Sequence, residues 1–414
     1  MDDNDRRIVS FTAVAHGLVH TYELSIPILM TVWLVEFSVS AAVLGALVTV
    51  GYGLFGVGAL PGGVLVDRFG SKPLILACLV GMAVSFVLAA GAPNIYVLAA
   101  AIALWGATAS VYHPAGLALI SKSVANPGTA LGYHGMGGNV GIAFGPLATA
   151  VLLLWFDWRA VAVALTLPAI VVVAYGLLIE FEEGGGAFDA EDAGSTKGQV
   201  SAASIVSDTK VLLTLGFVLV LMVVTFNGLY YRAFLTFLPD LLGDVLDGLV
   251  TIEIFDPDSP YAEEFDVARY FYVAILTVGV AGQFIGGKLA DRLPTERGLT
   301  LMLGVMAALA LAFVPATATV PSFVVVSLLL GVALFSIQPL SQATVAAYSP
   351  PEARGLSFGY TYLAIFGVGA LGASLAGVVL TLGTYDHLFL VLAGLAGAGA
   401  ITSVVLYEYG ERRS

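Results

Sequence analysis

Three polar residues and a proline of the first long apolar stretch share one helical face: His16, His20, Glu23 and Pro27 fall at i, i+4, i+7 and i+11, the period of an α-helix. An acidic residue in the middle of a membrane span costs roughly 2.5 to 3.5 kcal/mol on insertion scales, so it faces a cavity or a partner rather than lipid. A carboxyl beside an imidazole can exchange a proton near neutral pH, which makes Glu23, with His16 and His20, a candidate proton-coupling group. The competing reading is a purely structural Glu–His pair. His113, in a later apolar run, is a further proton-carrying candidate, and His134 a candidate for contact with a substrate. The five histidines are spread along the chain with no acidic cluster beside them, and no metal site is expected.

A second constellation surrounds Arg232, the one basic residue placed deep in an apolar run, with Asn227, Tyr230 and Tyr231 as its sequence neighbours. A buried guanidinium needs a partner, either Glu23 from the other half of the chain or an anionic substrate whose carboxylate or phosphonate oxygens suit its five donors. Asn139, Asn227, Tyr231, Gln283 and Gln338 are the polar residues that would complete a substrate site at mid-membrane, although each alone is as readily interhelical glue.

These residues must be positioned by helices in lipid. The chain has 414 residues, of which 59% are hydrophobic and 11% charged, a balance that no soluble core of this length could bury. Apolar runs predict helices near 8–34, 41–65, 73–92, 95–121, 129–154 and 158–180, then near 211–241, 268–290, 298–316, 321–347, 355–382 and 386–408. The first run is too long for a signal-peptide core and reads as a retained span. With the N-terminus inside, thirteen of the sixteen lysines and arginines fall on the cytoplasmic side, only Arg159 and Arg269 fall outside, and Arg232 lies in a span. An even number of spans with both termini cytoplasmic fits that asymmetry.

The charge of -13 sits in termini and loops, which argues against a nucleic-acid partner. Acid-rich, lysine-poor loops are also what a protein bathed in concentrated salt would carry. Residues 181–207 are too polar to fold and form a linker, which gives an N-terminal six-helix bundle at 1–180 and a C-terminal one at 208–414. The segment 243–267 is a second acidic loop, on the outside, and Cys78 is a lone packing residue with no disulfide partner. No nucleotide-binding Gly-x-x-x-x-Gly-Lys-Ser/Thr run occurs, so direct drive by ATP in this chain is not expected, and no cofactor is expected either.

The two halves repeat. Gly62-Gly63-Val64-Leu65-Val66-Asp67-Arg68 returns 224 positions later as Gly286-Gly287-Lys288-Leu289-Ala290-Asp291-Arg292, and His113-Pro114 returns at an offset of 225 as Gln338-Pro339. The run from Gly63 through Asp67, Arg68 and Gly70 to Lys72 resembles the signature loop between helices 2 and 3 of the major facilitator superfamily of secondary transporters. The resemblance implies an all-α membrane protein with twelve transmembrane helices in two pseudo-symmetric six-helix bundles. It implies also that Asp67, Arg68 and Lys72, with Asp291 and Arg292 in the repeat, lock the cytoplasmic faces of the halves. Gly141-Ile142-Ala143-Phe144-Gly145-Pro146 resembles in part a motif associated with exporters of that superfamily.

Val111-Tyr112-His113-Pro114, Gly137-Gly138-Asn139-Val140-Gly141 and Arg232 with Thr236-Phe237-Leu238-Pro239 are similar to the fosmidomycin-resistance-type subgroup. His20 stands where that subgroup has an aspartate, and Ala115 where it has a glutamate. The function implied is a proton-coupled exporter of a small organic molecule working by alternating access. The chain would be monomeric in the inner cell membrane, with lipid, proton and substrate as its partners. An importer of an organic anion, or a transporter-fold receptor without flux, is the alternative. A membrane-embedded enzyme would need a convergent nucleophile, base and orienting group, which scattered histidines do not make.

Overall fold

The chain is seen in a computed structural model that describes residues 1–125, 127–183, 209–247, 267–349 and 354–412. Twelve helices among them are long and apolar enough to cross a membrane: α1 (Asp3–Glu36), α2 (Ala41–Gly62), α3 (Ser71–Ala90), α4 (Ile95–Ile120), α5 (Tyr133–Leu152), α6 (Trp158–Leu178), α7 (Leu215–Leu246), α8 (Val267–Arg292), α9 (Thr295–Ala316), α10 (Val320–Ala347), α11 (Gly359–Leu382) and α12 (Tyr385–Glu411). Each coincides with an expected run, and no strand occurs among the described residues. Helices satisfy their backbone groups internally, as lipid requires. Large apolar side chains such as Val171, Leu178, Val280, Leu382 and Ile401 are exposed, the surface a lipid solvent asks for.

Local chemistry sets the helix starts. Asn94 opens α4 by accepting from the backbone N–H groups of Tyr96 and Val97, both at 3.1 Å. Asp157 opens α6 in the same way, at 2.8 and 3.2 Å from Arg159 N and Ala160 N. Arg159 then reaches back to the carbonyls of Ala90 and Ala92 at the end of α3, at 3.0 and 2.8 Å. His387, which reads in sequence as a loop residue, belongs instead to the capping box that starts α12: its Nδ1 accepts from the Thr384 N–H at 3.2 Å.

Contacts divide the chain into two compact units, Met1–Leu29 with Val50–Ile205, and Met30–Thr49 with Val206–Ser414. The end of α1 and the start of α2 therefore belong to the second unit, whereas the expected bundles divide only at 180 and 208. Within that unit, Thr381 Oγ1 accepts from Ala42 N at 2.9 Å, and Thr49 Oγ1 donates to the Ala370 carbonyl at 3.0 Å. In the first unit a stripe of glycines on α5 seats α1: a Cβ on Gly137, Gly141 or Gly145 would strike the backbone of Ala13, Gly17 or Thr21.

The second unit packs α8 and α9 against α10, α9 against α12, and α7 against α11 and α12. Helix α7 is held helical to Asp247, past the expected end near 241, with Pro239 inside it. Asp244 thus leaves the expected loop and accepts from the Tyr385 hydroxyl at 2.7 Å. Helix α11 contains a π-helical turn at Leu363–Val368, packed on Gly228 of α7. The rest of the expected linker and acidic loop, 184–208 and 248–266, lies outside the described residues.

Candidate functional site

The first unit gathers four of the five histidines. The helical spacing of His16, His20 and Glu23 puts all three on the inward face of α1, with Glu23 1% and His16 8% exposed. His20 Nδ1 lies 2.6 Å from Glu23 Oε2, and its Nε2 lies 3.1 Å from His16 Nε2. His16 Nδ1 donates to the main-chain carbonyl of His134 at 2.8 Å, and the two rings stack with centroids 4.0 Å apart. His113 stands edge-on to both rings, its centroid 5.2 Å from that of His16 and 5.8 Å from that of His20.

Helix α4 brings Tyr112 to the same place. Its hydroxyl donates to the Thr12 carbonyl and lies 3.3 Å from His134 Nε2. Tyr52 of α2 donates to the Glu23 carbonyl at 3.3 Å, and Phe55 lies 5.6 Å from the His113 ring. Gly138 is what lets the cluster close, because a Cβ there would press on the His16 ring.

The expectation of dispersed histidines is overturned. Ligand atoms of His16, His20 and His113 lie within 4.8 Å of one another, so three imidazoles could hold a divalent transition-metal ion. The sequence gives the periodicity within α1, but the convergence of α1, α4 and α5 follows from packing. Tyr112 was missed as a site residue; its place directly before His113 was the signal.

Of the other substrate-site candidates, the second unit holds Arg232, Asn227, Tyr231, Gln283 and Gln338, in two places, and the first unit holds Asn139. Arg232 is 2% exposed, and its guanidinium lies 5.4 Å from the Tyr231 ring and 5.7 Å from Phe366, which the π turn of α11 carries. Asn227 is one turn earlier on α7, with a buried side-chain oxygen that finds no hydrogen-bond partner among the described residues. Gln283 of α8 donates to Gln338 of α10 at 3.1 Å, so these two join their helices directly. Asn139 is half-buried on α5, next to the Gly138 that packs on His16.

At the signature loop, Gly70 has φ 81° and ψ 165°, a conformation essentially reserved for glycine. Glu183, beyond the end of α6, accepts from the backbone N–H groups of Ser71 and Lys72, both at 3.2 Å, and so neutralises the N-terminus of α3. Lys72 donates to the Ile179 carbonyl at 2.6 Å and lies 5.0 Å from the Phe181 ring. These contacts tie Lys72 to the end of α6 in its own unit. Arg68 is exposed and lies 5.3 Å from the Phe69 ring, Asp291 and Arg292 are exposed at the end of α8, and the side chain of Asp67 lies outside the described residues, as do the surroundings of Gly63.

Known proteins agree with this architecture. The chain is 12% identical to the nucleoside transporter NupG, with a TM-score of 0.74 over 99% of this chain and 100% of that one. It is 15% identical to a bacterial homologue of the human lysosomal transporter Spinster, solved in an inward-facing and unoccupied conformation, with a TM-score of 0.71 over 98% and 96% of the two chains. At these identities the likeness is one of fold. The puromycin resistance protein pur8 of Streptomyces alboniger is 35% identical over 108 residues, which is 25% of this chain and 22% of that protein. The model of the Major Facilitator Superfamily matches residues 12–255 and 260–414, so this multi-pass membrane chain belongs to that superfamily, a family of transporters and not of enzymes.

Proposed function

We propose that the protein is a secondary active exporter that moves a small organic molecule outward against an inward flow of protons, by alternating access of its two halves. The observation that carries this reading is the Glu23–His20–His16 network: a carboxylate 1% exposed within a span, 2.6 Å from one imidazole that is itself 3.1 Å from a second. Ionisable groups in spans are costly and mark ion pathways. Export is supported by the short stretch shared with a puromycin resistance protein and by Gly141 and Gly145, which in this fold seat α5 on α1. The motifs shared with fosmidomycin-resistance-type transporters add phosphonates to the substrate classes. The charge asymmetry of the loops supports cytoplasmic termini in the cell membrane.

A second reading, import of an organic anion, is favoured by Arg232 between Tyr231 and Phe366, a cationic group with planar aromatic neighbours. Proteoliposomes carrying an internal pH dye separate the two. Puromycin, a phosphonate, a sugar and a hydrophobic cation are each added to wild type and to the Glu23→Gln/His20→Gln double variant. We expect one compound to drive protons in the opposite direction to itself through wild type only. Proton and compound moving in the same direction would establish import instead, and binding without flux would establish a receptor.

A further inference from the structure

Three imidazoles from two helices bring their nitrogens to one place in the first unit. One helical turn of α1 sets two of them side by side, with His16 Nε2 and His20 Nε2 3.1 Å apart. His113 arrives from α4, and one ring nitrogen of each residue lies within 4.8 Å of the other two. Two nitrogens on one tetrahedral zinc ion, each about 2.0–2.1 Å from it, stand about 3.3 Å apart, so the His16–His20 spacing is close to that of a shared ion.

Ligating histidines are held from behind by an oxygen that takes up the other ring nitrogen, which fixes the ring and aims the ligand atom. Both α1 histidines have such an oxygen. His16 Nδ1 donates to the His134 carbonyl at 2.8 Å, and His20 Nδ1 lies 2.6 Å from Glu23 Oε2. The His16 ring is steadied further by the nearly parallel rings of His134 and Tyr112, with centroids 4.0 and 5.5 Å away. His134 is a neighbour and not a ligand. Lone pairs of ring nitrogens lie in the ring plane, and two stacked planes 12° apart do not converge on one ion; its Nε2 meets the Tyr112 hydroxyl instead, at 3.3 Å. The His113 plane crosses those of His16 and His20 at 88° and 74°, which lets the three converge.

We propose that His16, His20 and His113 form a binding site for one divalent transition-metal ion of the zinc class, with Glu23 and the His134 carbonyl as its outer shell. Imidazole nitrogen selects such ions over Mg²⁺ and Ca²⁺, which take oxygen ligands. Three protein ligands leave a fourth position for water or for a donor atom of a bound molecule. His20 is the most exposed of the three, so the ion enters past it. The inference goes beyond the exporter reading, which uses the same imidazoles, and holds or fails apart from it.

The test is a calorimetric titration of Zn²⁺ into the full chain in lipid nanodiscs, without an affinity tag that carries histidine. We expect one ion per chain, retained against excess Mg²⁺ and Ca²⁺. His16→Gln, His20→Gln and His113→Gln are each expected to lose it, and Glu23→Gln to weaken it about 10- to 100-fold. His134→Gln keeps the main-chain carbonyl, and His387 belongs to the α12 capping box, so His134→Gln and His387→Gln are expected to bind as wild type does. Zn²⁺ should raise the Tm of wild type and of these two and leave that of the three ligand variants unmoved, while Tm without zinc shows that each variant is folded. Co²⁺ needs no variant: in wild type it should give the intense visible absorption of a four-coordinate ion.

No binding by wild type would overturn the site, as would the weak absorption of six-coordinate Co²⁺. An ion that stays in His20→Gln or His113→Gln would lie elsewhere, on the acidic loops or with His134, and would overturn it too. Binding is read with no transported compound present. Zn²⁺ held by a chain that moves no protons with any compound therefore keeps the site and removes the exporter, and coupled flux through a chain that binds no Zn²⁺ does the reverse.

Discussion

At the scale of residues, the histidine cluster is held as tightly by what is missing as by what is present. Gly138 lies against the His16 ring, while Gly135, one turn away on the same helix, has open space where its side chain would be. Gly138→Ala should therefore rotate the His16 ring, break its hydrogen bond to the His134 carbonyl and abolish compound-driven proton movement, with protein yield unchanged. Gly135→Ala should behave as wild type in the same proteoliposome assay. Equal activity in both would mean that the ring orientation does not matter.

At Arg232, replacement by Lys keeps the charge but loses the planar group beside Tyr231 and Phe366. Affinity for an organic anion, measured by isothermal titration, should fall about tenfold if that guanidinium binds it. The in-helix spacing of His16, His20 and Glu23 was legible because a 3.6-residue period is a local property. The arrival of His113 and His134 was not, since it depends on which faces of α4 and α5 meet α1.

Among the elements, the seam between α1 and α5 is the one on which the site depends. Gly137, Gly141 and Gly145 recur every four residues, so they form a single stripe along α5, and α1 answers with Ala13, Gly17 and Thr21. No cavity exists along that stripe for a side chain, and the nearest atoms are backbone, which cannot swing aside. Gly141→Leu should consequently force the helices apart at a cost of about 1–3 kcal/mol or more, read as a lowered Tm in detergent. Proton coupling should be lost with it, because His16 and His20 ride on α1 on either side of Gly17. An unchanged Tm would mean that the two helices are free to separate.

Helices themselves were readable from hydropathy alone, because a span in lipid must be long, apolar and internally hydrogen-bonded. Their ends were less so. Helix α7 runs on past Pro239 to residues that read as loop, and His387 reads as loop but caps α12, since capping is decided by the geometry of one turn and not by hydropathy.

For the molecule as a whole, the lysines and arginines carry information of a different kind from the fold. Eleven of the fourteen among the described residues fall at one set of helix ends when the twelve helices are threaded in order, among them Arg68, Lys72, Arg292 and Arg297. Such asymmetry governs how a chain is inserted and is indifferent to how its helices pack. The grouping of residues 30–49 with the second unit shows the converse: packing can join segments that hydropathy assigns to different halves.

Orientation can be tested on its own. Cys78 is the single cysteine and is buried, so Cys78→Ala supplies a background free of thiols. Pro93→Cys, between α3 and α4, and Arg412→Cys, after α12, then place one thiol each at exposed positions. In right-side-out vesicles a membrane-impermeant maleimide should label position 93 and spare position 412, and inverted vesicles should reverse the pattern. Labelling of both positions from the same face would be incompatible with the topology. Labelling of 412 alone in right-side-out vesicles would turn the whole molecule over, and with it the direction in which a proton reaching His20 is carried.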